Sequence, residues 1–475
     1  MRNPPGGLAA AVLLCREFSD QAAESFAGPG DLKVCVRELP QSVDALALLE
    51  LHPDEAPHFF MENPAGGQAV AGVGEVWCCE ASGSDRLARI REAFEVIMGV
   101  AGVELPLVGG FAFRADHMAE EPWQGFPAAR FWVPRLTLQR IGGSTRLIAI
   151  GAQGLDGLCD ALQARSALVA EESVRVAQGH GTRPGAEPRR AGRARGEPIG
   201  EDPLTVVLEN QRWRQSIEVV LQAIKEGRLQ KAVLARRQRV ALTEPPDPVA
   251  VLRRLRARQS GCTTFAVAFG NGTFLGSTPE HLLDLRGREA RFEAIAGTAF
   301  GASNAEALQS SIKDRWEHEL VVAGISAAIS PLVVRLEREP TPVARHFGAL
   351  THLVTSLRAD LRAGVDAFEV AERLHPTPAT GGVPRQAALD LLATVDVAAR
   401  GWYAGGVAAL FGDQAQVAVP LRCGLLRGCE AWLWAGAGIV EGSDPEREWD
   451  ETRAKLAPML DALLLSELAA GASSV

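Results

Sequence analysis

The 475-residue sequence predicts an α+β fold built on large antiparallel sheets. Short apolar runs bounded by Gly, Pro and Asn are interleaved with amphipathic segments, without the regular βαβ alternation of a doubly wound fold. Near the C-terminus, three apolar runs are separated only by tight turns, which is typical of antiparallel strands. No internal repeat of fixed period is present.

The N-terminal part, residues 1–182, mixes short apolar runs with Gly and Pro, as in residues 107–113 (LVGGFAF) and 131–138 (FWVPRLTL). These runs predict strands of a large sheet. The apolar stretch at residues 8–15 is short and is followed directly by charged residues, so it predicts a first strand or helix and not a signal peptide. Residues 183–203 are rich in Arg, Gly and Pro, and they predict an exposed connector.

The remaining part, residues 204–475, begins with a predicted amphipathic helix over residues 205–228. A strand follows at once, with Lys231 at its entrance. The runs TTFAVAF and TFLGSTPEHLLDL predict a hairpin around the turn at residues 270–272, and Glu280 comes just after Thr278 and Pro279 in the second run.

Residues 305–329 have the apolar period of a helix, which carries Asp314 and Glu317. Residues 351–361 predict another strand. Residues 374–389 contain too many Pro and Gly to be regular, so they predict a loop that wraps a site before a short helix. The runs WYAGGVAALF, AQVAVPLRC and AWLWAGAGIV then predict an antiparallel meander that leads into a last helix.

Composition excludes several classes of protein. With 47% hydrophobic and 23% charged residues, the chain is that of a soluble globular protein. A net charge of -9 argues against nucleic acid as a partner, since phosphate binding needs a basic face. No apolar run approaches the length that crosses a bilayer. The eight cysteines form no CxxC pair, so we expect reduced thiols and a cytoplasmic location.

Two predicted helices carry pairs of carboxylates with the same spacing. Asp314 and Glu317 are three residues apart, as are Glu448 and Glu451, and Lys455 follows four residues later. A single pair of this kind is usually a solvated, ion-paired helix start. Two such helices could enclose a divalent cation, and oxygen ligands without clustered His or Cys favour Mg²⁺ over Zn²⁺.

The candidate site residues lie at or next to the ends of predicted elements, and they are Lys231, Glu280, Asp314, Glu317, Arg422, Glu448, Glu451 and Lys455. An acid and a base beside a metal suggest proton transfer on a metal-bound anion. Neither a P-loop nor a dinucleotide fingerprint is present. Each of three residues also has a simpler interpretation when it is considered alone. Lys231 could be a surface lysine, Glu280 could be an exposed residue of a hairpin, and His352 could be a structural histidine.

Nine motifs resemble the chorismate-utilising enzymes, most closely their isochorismate synthase branch: KAVLAR (231–236), FLGSTPEHL (274–282), AIAGT (294–298), SIKDRWEHELVV (311–322), THLVTSL (351–357), LHPTPATGGVP (374–384), RGWYAGGV (400–407), VPLRC (419–423) and AGAGIVEGSDPEREWDET (435–452). The resemblance spans about residues 205–466. It implies the fold of the anthranilate synthase large subunit, with two large antiparallel sheets packed at a steep angle, helices outside and the active site between. Residues 204–475 would be the chorismate-binding core, forming one folding unit with residues 1–182.

Position 231 indicates which nucleophile is used. Relatives that deliver ammonia carry Gln there, whereas Lys231 matches the residue assigned as the base for water. Aminodeoxychorismate synthases often have a nucleophilic lysine where this chain has Ala296. Glu280 matches the acid that protonates the departing C4 hydroxyl. The resemblance implies an isomerase that adds water at C2 of chorismate and removes the C4 hydroxyl, feeding menaquinone or siderophore and salicylate biosynthesis.

The same likeness implies that Glu317 and Glu451 ligate Mg²⁺ directly, with Asp314 and Glu448 behind them. The metal would hold the ring carboxylate of chorismate. Chorismate is the one partner that the resemblance implies, and we expect the protein to be a monomer or a homodimer.

The substrate-binding residues implied by the likeness include Tyr403 and Arg422, which match the pair that holds the enolpyruvyl carboxylate. The other candidates are Gly297, Thr298, His352, Thr380, Gly436, Gly438 and Lys455.

Two alternatives stay open. Thr380 stands where many isochorismate synthases have a larger apolar residue, and Pro420 interrupts the usual strand before Arg422. Both departures allow a salicylate synthase, in which pyruvate elimination follows isochorismate formation. The other alternative is a non-catalytic chorismate-binding subunit, although the intact set of acid, base and metal-ligand candidates argues against it.

Overall fold

A computed structural model describes residues 34–52, 57–151, 155–177, 203–301, 304–396 and 398–470. The apolar stretch at residues 8–15 lies outside this part of the chain, and so does the predicted connector, except for Pro203 at the start of a helix.

The larger of two antiparallel sheets, sheet A, has eleven strands within the described residues. In spatial order they are β1 (Val34–Leu39), β8 (Ser144–Ile150), β7 (Leu136–Ile141), β3 (Gln68–Val73), β2 (His58–Asn63), β10 (Thr263–Phe269), β11 (Gly272–Thr278), β20 (Cys423–Arg427), β21 (Glu430–Ile439), β9 (Lys231–Ala241) and β17 (Gly382–Val383). The five strands from the N-terminal part of the chain therefore form one side of this sheet, the six from the remaining part form the other, and β2 pairs with β10 where they meet.

Sheet B has ten strands in the same described ranges, and one of them, β15 (Val343–Phe347), pairs only with β16 (Leu350–Leu361). The other nine, in spatial order, are β14 (Val333–Arg338), β16 (Leu350–Leu361), β13 (Glu289–Phe300), β12 (His281–Arg286), β19 (Gln414–Ala418), β18 (Gly406–Phe411), β5 (Leu107–Phe111), β6 (Ala129–Val133) and β4 (Trp77–Ala81). The predicted α+β fold with two large antiparallel sheets is confirmed.

The helices of the described chain are α1 (Leu46–Leu51), α2 (Arg86–Ala101), α3 (Asp156–Ala177), α4 (Pro203–Lys225), α5 (Pro248–Arg258), α6 (Ala305–Ser310), α7 (Ile312–Ile329), α8 (Ala367–Leu374), α9 (Arg385–Val395) and α10 (Pro445–Ala470), with a 3₁₀ turn at Ser330–Leu332. The predicted helix over residues 305–329 is two helices. Ser311 between them has an extended backbone, and its hydroxyl accepts a hydrogen bond from the amide of Asp314, so it caps α7.

Alternation along the strands separates the apolar side chains into layers. On β21, Trp432 and Trp434 join the core between the sheets, whereas Leu433 and Ala435 join the core beneath α1, α5 and α10. A third core lies between the other face of sheet B and helices α2, α7 and α8. Burying one large apolar side chain contributes roughly 1.5–3 kcal/mol, so a one-residue slip of β21 would be strongly disfavoured.

Two of the points at which the chain crosses between the sheets are neighbours, and they correct two predictions. The run TFLGSTPEHLLDL, predicted as the second strand of a hairpin, divides between β11 in sheet A and β12 in sheet B. The predicted C-terminal meander is in fact two hairpins in different sheets, because the run AQVAVPLRC divides between β19 and β20. Pro420 lies in the gap, where its missing N–H cannot continue a ladder. Hydrogen bonds join the crossings, from the Val419 amide to the Glu280 carbonyl (3.0 Å) and from the Thr278 hydroxyl to the Val419 carbonyl (2.6 Å).

The run FWVPRLTL also divides between the sheets, as β6 and β7, on either side of Pro134. No helix of the described ranges is long and apolar enough to cross a membrane. Each of the seven cysteines in those ranges is a free thiol, as predicted.

Candidate active site

A cavity between the two sheets, next to the crossings, brings together thirteen of the fifteen predicted site residues: Lys231, Glu280, Gly297, Thr298, Glu317, His352, Thr380, Tyr403, Arg422, Gly436, Gly438, Glu451 and Lys455. They come from both sheets, from helices α7 and α10, and from the loop before β17. The other two, Asp314 and Glu448, do not line the cavity.

Lys231 is the first residue of β9 and has only 1% of its side chain exposed. Its Nζ lies 2.9 Å from Oε1 of Glu317 on α7. The approach depends on Gly438 of β21, since a Cβ there would lie 2.3 Å from Glu317 Oε1 and 3.0 Å from Lys231 Cε. The interpretation of Lys231 as a surface lysine is therefore wrong.

Glu280 lies at the crossing from β11 to β12, where its side chain is buried at 4% exposure. Burial disfavours the carboxylate and raises the pKa of Glu280 to about 7, although the positive charges of Lys231 and Lys455 oppose this shift. The Thr377 hydroxyl donates a hydrogen bond to its Oε1 (3.5 Å). A carboxyl group in this environment can hold a proton near neutrality and donate it.

Arg422 precedes β20 at the second crossing, and its backbone has a φ of 45°, in the left-handed region. Its guanidinium donates hydrogen bonds to the Phe347 carbonyl (2.8 Å) and to His352 Nε2 (3.0 Å). It has no ion-pair partner among the described residues, although only 4% of its surface is exposed. A buried guanidinium without a counter-ion is a binding site for an anion.

His352 of β16 supports that guanidinium. Burial and the nearby charge of Arg422 hold the pKa of His352 well below its usual value, so the ring is neutral. Its Nδ1–H donates to the Gly297 carbonyl (3.1 Å), which leaves Nε2 as the acceptor for Arg422. Both ring nitrogens therefore have partners within the protein.

Tyr403, between α9 and β18, contributes a buried phenol to the cavity, and burial raises the pKa of Tyr403 above its usual value. It remains a neutral hydroxyl near neutral pH. Its Oη lies 3.0 Å from the point that a Cβ on Gly436 would occupy, so it faces β21 across the cavity.

Gly297 forms a β-bulge in β13, where the register with β16 shifts between Ala296 and Thr298. Its φ of 75° suits glycine, and a Cβ would lie 3.2 Å from Asp314 Cβ on α7. The bulge turns Thr298 toward α10, where its hydroxyl donates a hydrogen bond to Glu451 Oε1 (3.2 Å).

The start of α10 is held against β21 by Lys455. Its Nζ contacts Glu451 Oε1 (2.6 Å) and donates to the Gly436 carbonyl (2.9 Å). The helix begins as predicted, with Asp444 Oδ1 accepting from the Arg447 amide (3.0 Å). This cap places Glu451 at the cavity.

The four acidic residues predicted as metal ligands, Asp314 and Glu317 of α7 and Glu448 and Glu451 of α10, provide the oxygen ligands that suit Mg²⁺. Burial and the negative charges of Glu317 and Glu451 raise the pKa of Asp314, and burial and Glu451 raise that of Glu448. This repulsion among neighbouring carboxylates is what a cation would relieve. Across the described chain no three such side chains converge on one point. The residues therefore fit a cation held by Glu317 and Glu451, one from each helix, and completed by water or substrate.

Asp314 and Glu448 have other partners in this structure. The Ser311 hydroxyl donates to Asp314, and Lys313 Nζ lies 2.9 Å from Glu448 Oε1. The Lys313 contact bridges α7 and α10 behind Glu317 and Glu451.

Arg400 also lines the cavity, although it is not among the residues predicted for the site. It lies in the motif RGWYAGGV, three residues before Tyr403, but an arginine there carries no signal of burial. Thr380 adds a buried hydroxyl with no hydrogen-bond partner in the described residues.

Comparisons with known proteins identify relatives of this chain. Residues 28–464 match the family described as chorismate binding enzyme. The salicylate biosynthesis isochorismate synthase of Pseudomonas aeruginosa is 34% identical, over 82% of each chain. Isochorismate synthase MenF of Bacillus subtilis is 29% identical, over 85% of this chain and 87% of its own.

Solved structures show the same likeness. The menaquinone-specific isochorismate synthase MenF of Escherichia coli superposes with a TM-score of 0.71 and 26% identity, covering 93% of this chain and 97% of its own. Anthranilate synthase component I of Streptococcus pneumoniae, at 19% identity and a TM-score of 0.56, covers 74% of this chain and 80% of its own, and it shares the fold.

Proposed function

The chain belongs to the family of chorismate-binding enzymes, and we propose that it is an isochorismate synthase, an isomerase that converts chorismate to isochorismate in the cytoplasm. One observation carries the proposal: the cavity holds a buried lysine and a buried glutamate whose pKa is raised to about 7, together with a guanidinium that has no counter-ion in the described chain. We propose that the enzyme acts as a monomer or homodimer on free chorismate.

Two groups must exchange protons in this reaction. Water adds at C2 of chorismate while the C4 hydroxyl leaves, so one group accepts a proton and another donates one. Lys231 is the base, because it is the buried amine of the cavity, and Glu280 is the acid, because burial keeps its carboxyl group protonated near neutrality. The reverse reaction requires the two to exchange roles.

Charged groups of the chain hold the substrate in place. Chorismate carries two carboxylates, and Arg422 with Tyr403 would bind one of them through charge and hydrogen bonds. Glu317 and Glu451 would hold Mg²⁺, which supplies positive charge for the other carboxylate. The Thr380 hydroxyl is available for a further hydrogen bond to the substrate.

Conversion of chorismate by the purified protein with Mg²⁺ tests the proposal, and we expect isochorismate as the product. Salicylate formed without an added lyase would favour the salicylate synthase instead. Anthranilate as the main product in concentrated ammonium would overturn the interpretation of Lys231 as a base for water. No conversion, with chorismate still bound, would favour a non-catalytic subunit.

Removing one proposed metal ligand should weaken Mg²⁺ binding. For Glu317→Gln and Glu451→Gln, we expect the dissociation constant for Mg²⁺ to rise at least about tenfold, because each change removes a ligand charge, and turnover should fall with it. Calorimetric titration with MgCl₂ measures the first effect, and chorismate consumption measures the second.

Glu319→Gln is the matched control, since Glu319 lies on the same helix but is exposed and contacts Arg338 on the surface. Its Mg²⁺ affinity should equal that of the wild type. Full turnover of both ligand variants in the presence of EDTA would remove the metal from the mechanism.

A further inference from the structure

A buried ion pair lies beside the proposed active site. Asp396 follows α9 directly, and Arg400 comes four residues later. Arg400 Nε lies 2.7 Å from Asp396 Oδ2, and its Nη2 lies 3.2 Å from Oδ1, so the contact is bidentate. Only 3% of the Arg400 side chain and 13% of the Asp396 side chain are exposed. The guanidinium also stacks on the ring of Phe113, 4.2 Å from its centroid.

The pair bonds to two other segments of the chain. Arg400 Nη1 donates to the Thr380 carbonyl (2.8 Å), and Nη2 donates to the Val233 carbonyl (2.5 Å). Asp396 Oδ1 accepts from the Ala235 amide (3.2 Å). One ion pair thus joins β9 to the loop at residues 375–384. A planar guanidinium can bind three groups at once, which a lysine ammonium cannot do in this geometry.

One of these segments carries the proposed base, and the other contacts the proposed acid. Val233 lies two residues from Lys231 on β9, so the two side chains share one face of the strand, and both line the cavity. The loop contains Thr377, whose hydroxyl donates to Glu280. The distance between β9 and the loop therefore affects the distance between base and acid.

The direct ladder between these segments is short. Strand β17 pairs with β9 through only two residues, Gly382 and Val383. Two further backbone bonds flank it, from the Gln230 amide to Val383 and from the Val233 amide to the Gly381 carbonyl. A short edge ladder is the kind of contact that frays, so an added anchor has a role here.

Stability alone is a weak reason for this ion pair. Burying two charges costs free energy that their attraction does not always recover. Burial raises the pKa of Asp396, which shows that its carboxylate is desolvated despite the contact with Arg400. The arrangement is better explained by the positions that it fixes.

We propose that Asp396 and Arg400 form a positioning clip for the reaction, which sets the spacing between the strand that carries Lys231 and the loop that supports Glu280. The inference rests on the proposed function. Neither residue exchanges a proton with the substrate; Arg400 acts through the Val233 and Thr380 carbonyls, and Asp396 acts through Arg400 and the Ala235 amide.

Arg400→Lys and Asp396→Asn test the clip. The lysine keeps the charge but cannot bridge both carbonyls and the carboxylate, and the asparagine keeps the shape but loses the charge. In each variant, kcat per binding site should fall about 10- to 100-fold while KM changes less than about threefold, because misplaced groups slow the chemical step more than they weaken binding. Calorimetric titration with chorismate counts the binding sites, so that an unfolded fraction does not lower kcat artificially.

Arg86→Lys is the matched control. Arg86 is also a buried arginine, whose Nη2 donates to the Ala112 carbonyl (2.9 Å) and whose guanidinium lies over the ring of Phe111, but it does not line the cavity. We expect its kcat per site to stay within about twofold of the wild type.

The outcomes separate the clip from the proposed function. The clip is supported if the wild-type protein and the Arg86→Lys control convert chorismate while both clip variants have a reduced kcat. Clip variants with the same kcat per site as the control would overturn the clip. Variants that only lose binding sites, or that fail to fold, would also overturn it, because Asp396 and Arg400 would then have a purely structural role. A wild-type protein that leaves chorismate unchanged would instead overturn the proposed function.

Discussion

Replacing Lys231 by alanine is expected to reduce chorismate conversion by roughly 100-fold or more, the loss typical of a missing general base. Chorismate should still bind, because Arg422 and Tyr403 form a separate part of the cavity. The variant also leaves Glu317 without its lysine partner, which lies 2.9 Å away in the wild-type structure.

Two variants separate these effects in steady-state assays with calorimetric measurement of chorismate binding. Lys231→Gln keeps a polar side chain near Glu317 but has no basic amine, so it should lose as much activity as the alanine variant. Lys225→Ala, on the exposed surface of α4, is the control and should be unchanged. If Lys231→Ala retained more than about a tenth of the wild-type rate, Lys231 would not be the base.

The parts of the site that the sequence predicts depend on local spacing. Two carboxylates three residues apart on a helix occupy one face wherever the helix lies, so the sides of α7 and α10 that carry Glu317 and Glu451 follow from the sequence. Contact between those faces does not follow from spacing, because it depends on how the helices pack against sheets A and B. The nine motifs supplied that information through resemblance to a family of known fold.

The crossings between the sheets could not be predicted from strand patterns. Residues on both sides of Glu280 alternate as strands, and nothing in the alternation shows that one strand belongs to sheet A and the next to sheet B. Pro134 and Pro420 mark two of the divisions, and proline in an apolar run is the signal that identifies them. The crossing at Glu280 carries a similar signal in Pro279, which directly precedes it.

Side-chain contacts between residues that are distant in the sequence could not be predicted either. The contact of Lys313 with Glu448 joins residues far apart along the chain, and the hydrogen bonds of Arg400 reach Val233 and Thr380. Such side chains resemble ordinary surface residues in the sequence. Only the packed structure shows that Arg400 is buried and what it bonds.

Replacing Glu280 by glutamine should have opposite effects on activity and stability. Glutamine keeps the shape of the side chain but cannot donate the proton that the departing hydroxyl needs, so we expect a loss of roughly 100-fold or more in conversion. In the wild type, kcat/KM should fall as pH rises through about 7, because the acid form of Glu280 is lost there. Any residual activity of Glu280→Gln should lack this alkaline limb.

The stability effect follows from the raised pKa of Glu280. The native carboxyl keeps its proton up to about pH 7, whereas the unfolded one releases it near 4.5, so the native state binds more protons between these values. Stability of the wild type therefore falls as pH rises through this range, and the full penalty is present above pH 7. A shift of this size corresponds to roughly 3 kcal/mol, which glutamine avoids because it is neutral at every pH.

Denaturant unfolding of Glu280→Gln and the wild type at a series of pH values measures this penalty. The variant should be the more stable protein above pH 7, by up to roughly 3 kcal/mol, and the difference should shrink toward pH 4.5, where the wild-type side chain is neutral in the native state and largely so in the unfolded state. Glu306→Gln, an exposed carboxylate on α6, should show no such gain. Equal stabilities of Glu280→Gln and wild type at all pH values would mean that the buried carboxyl is not protonated near neutrality. Glu280 would then lack the proton that the proposed mechanism assigns to it.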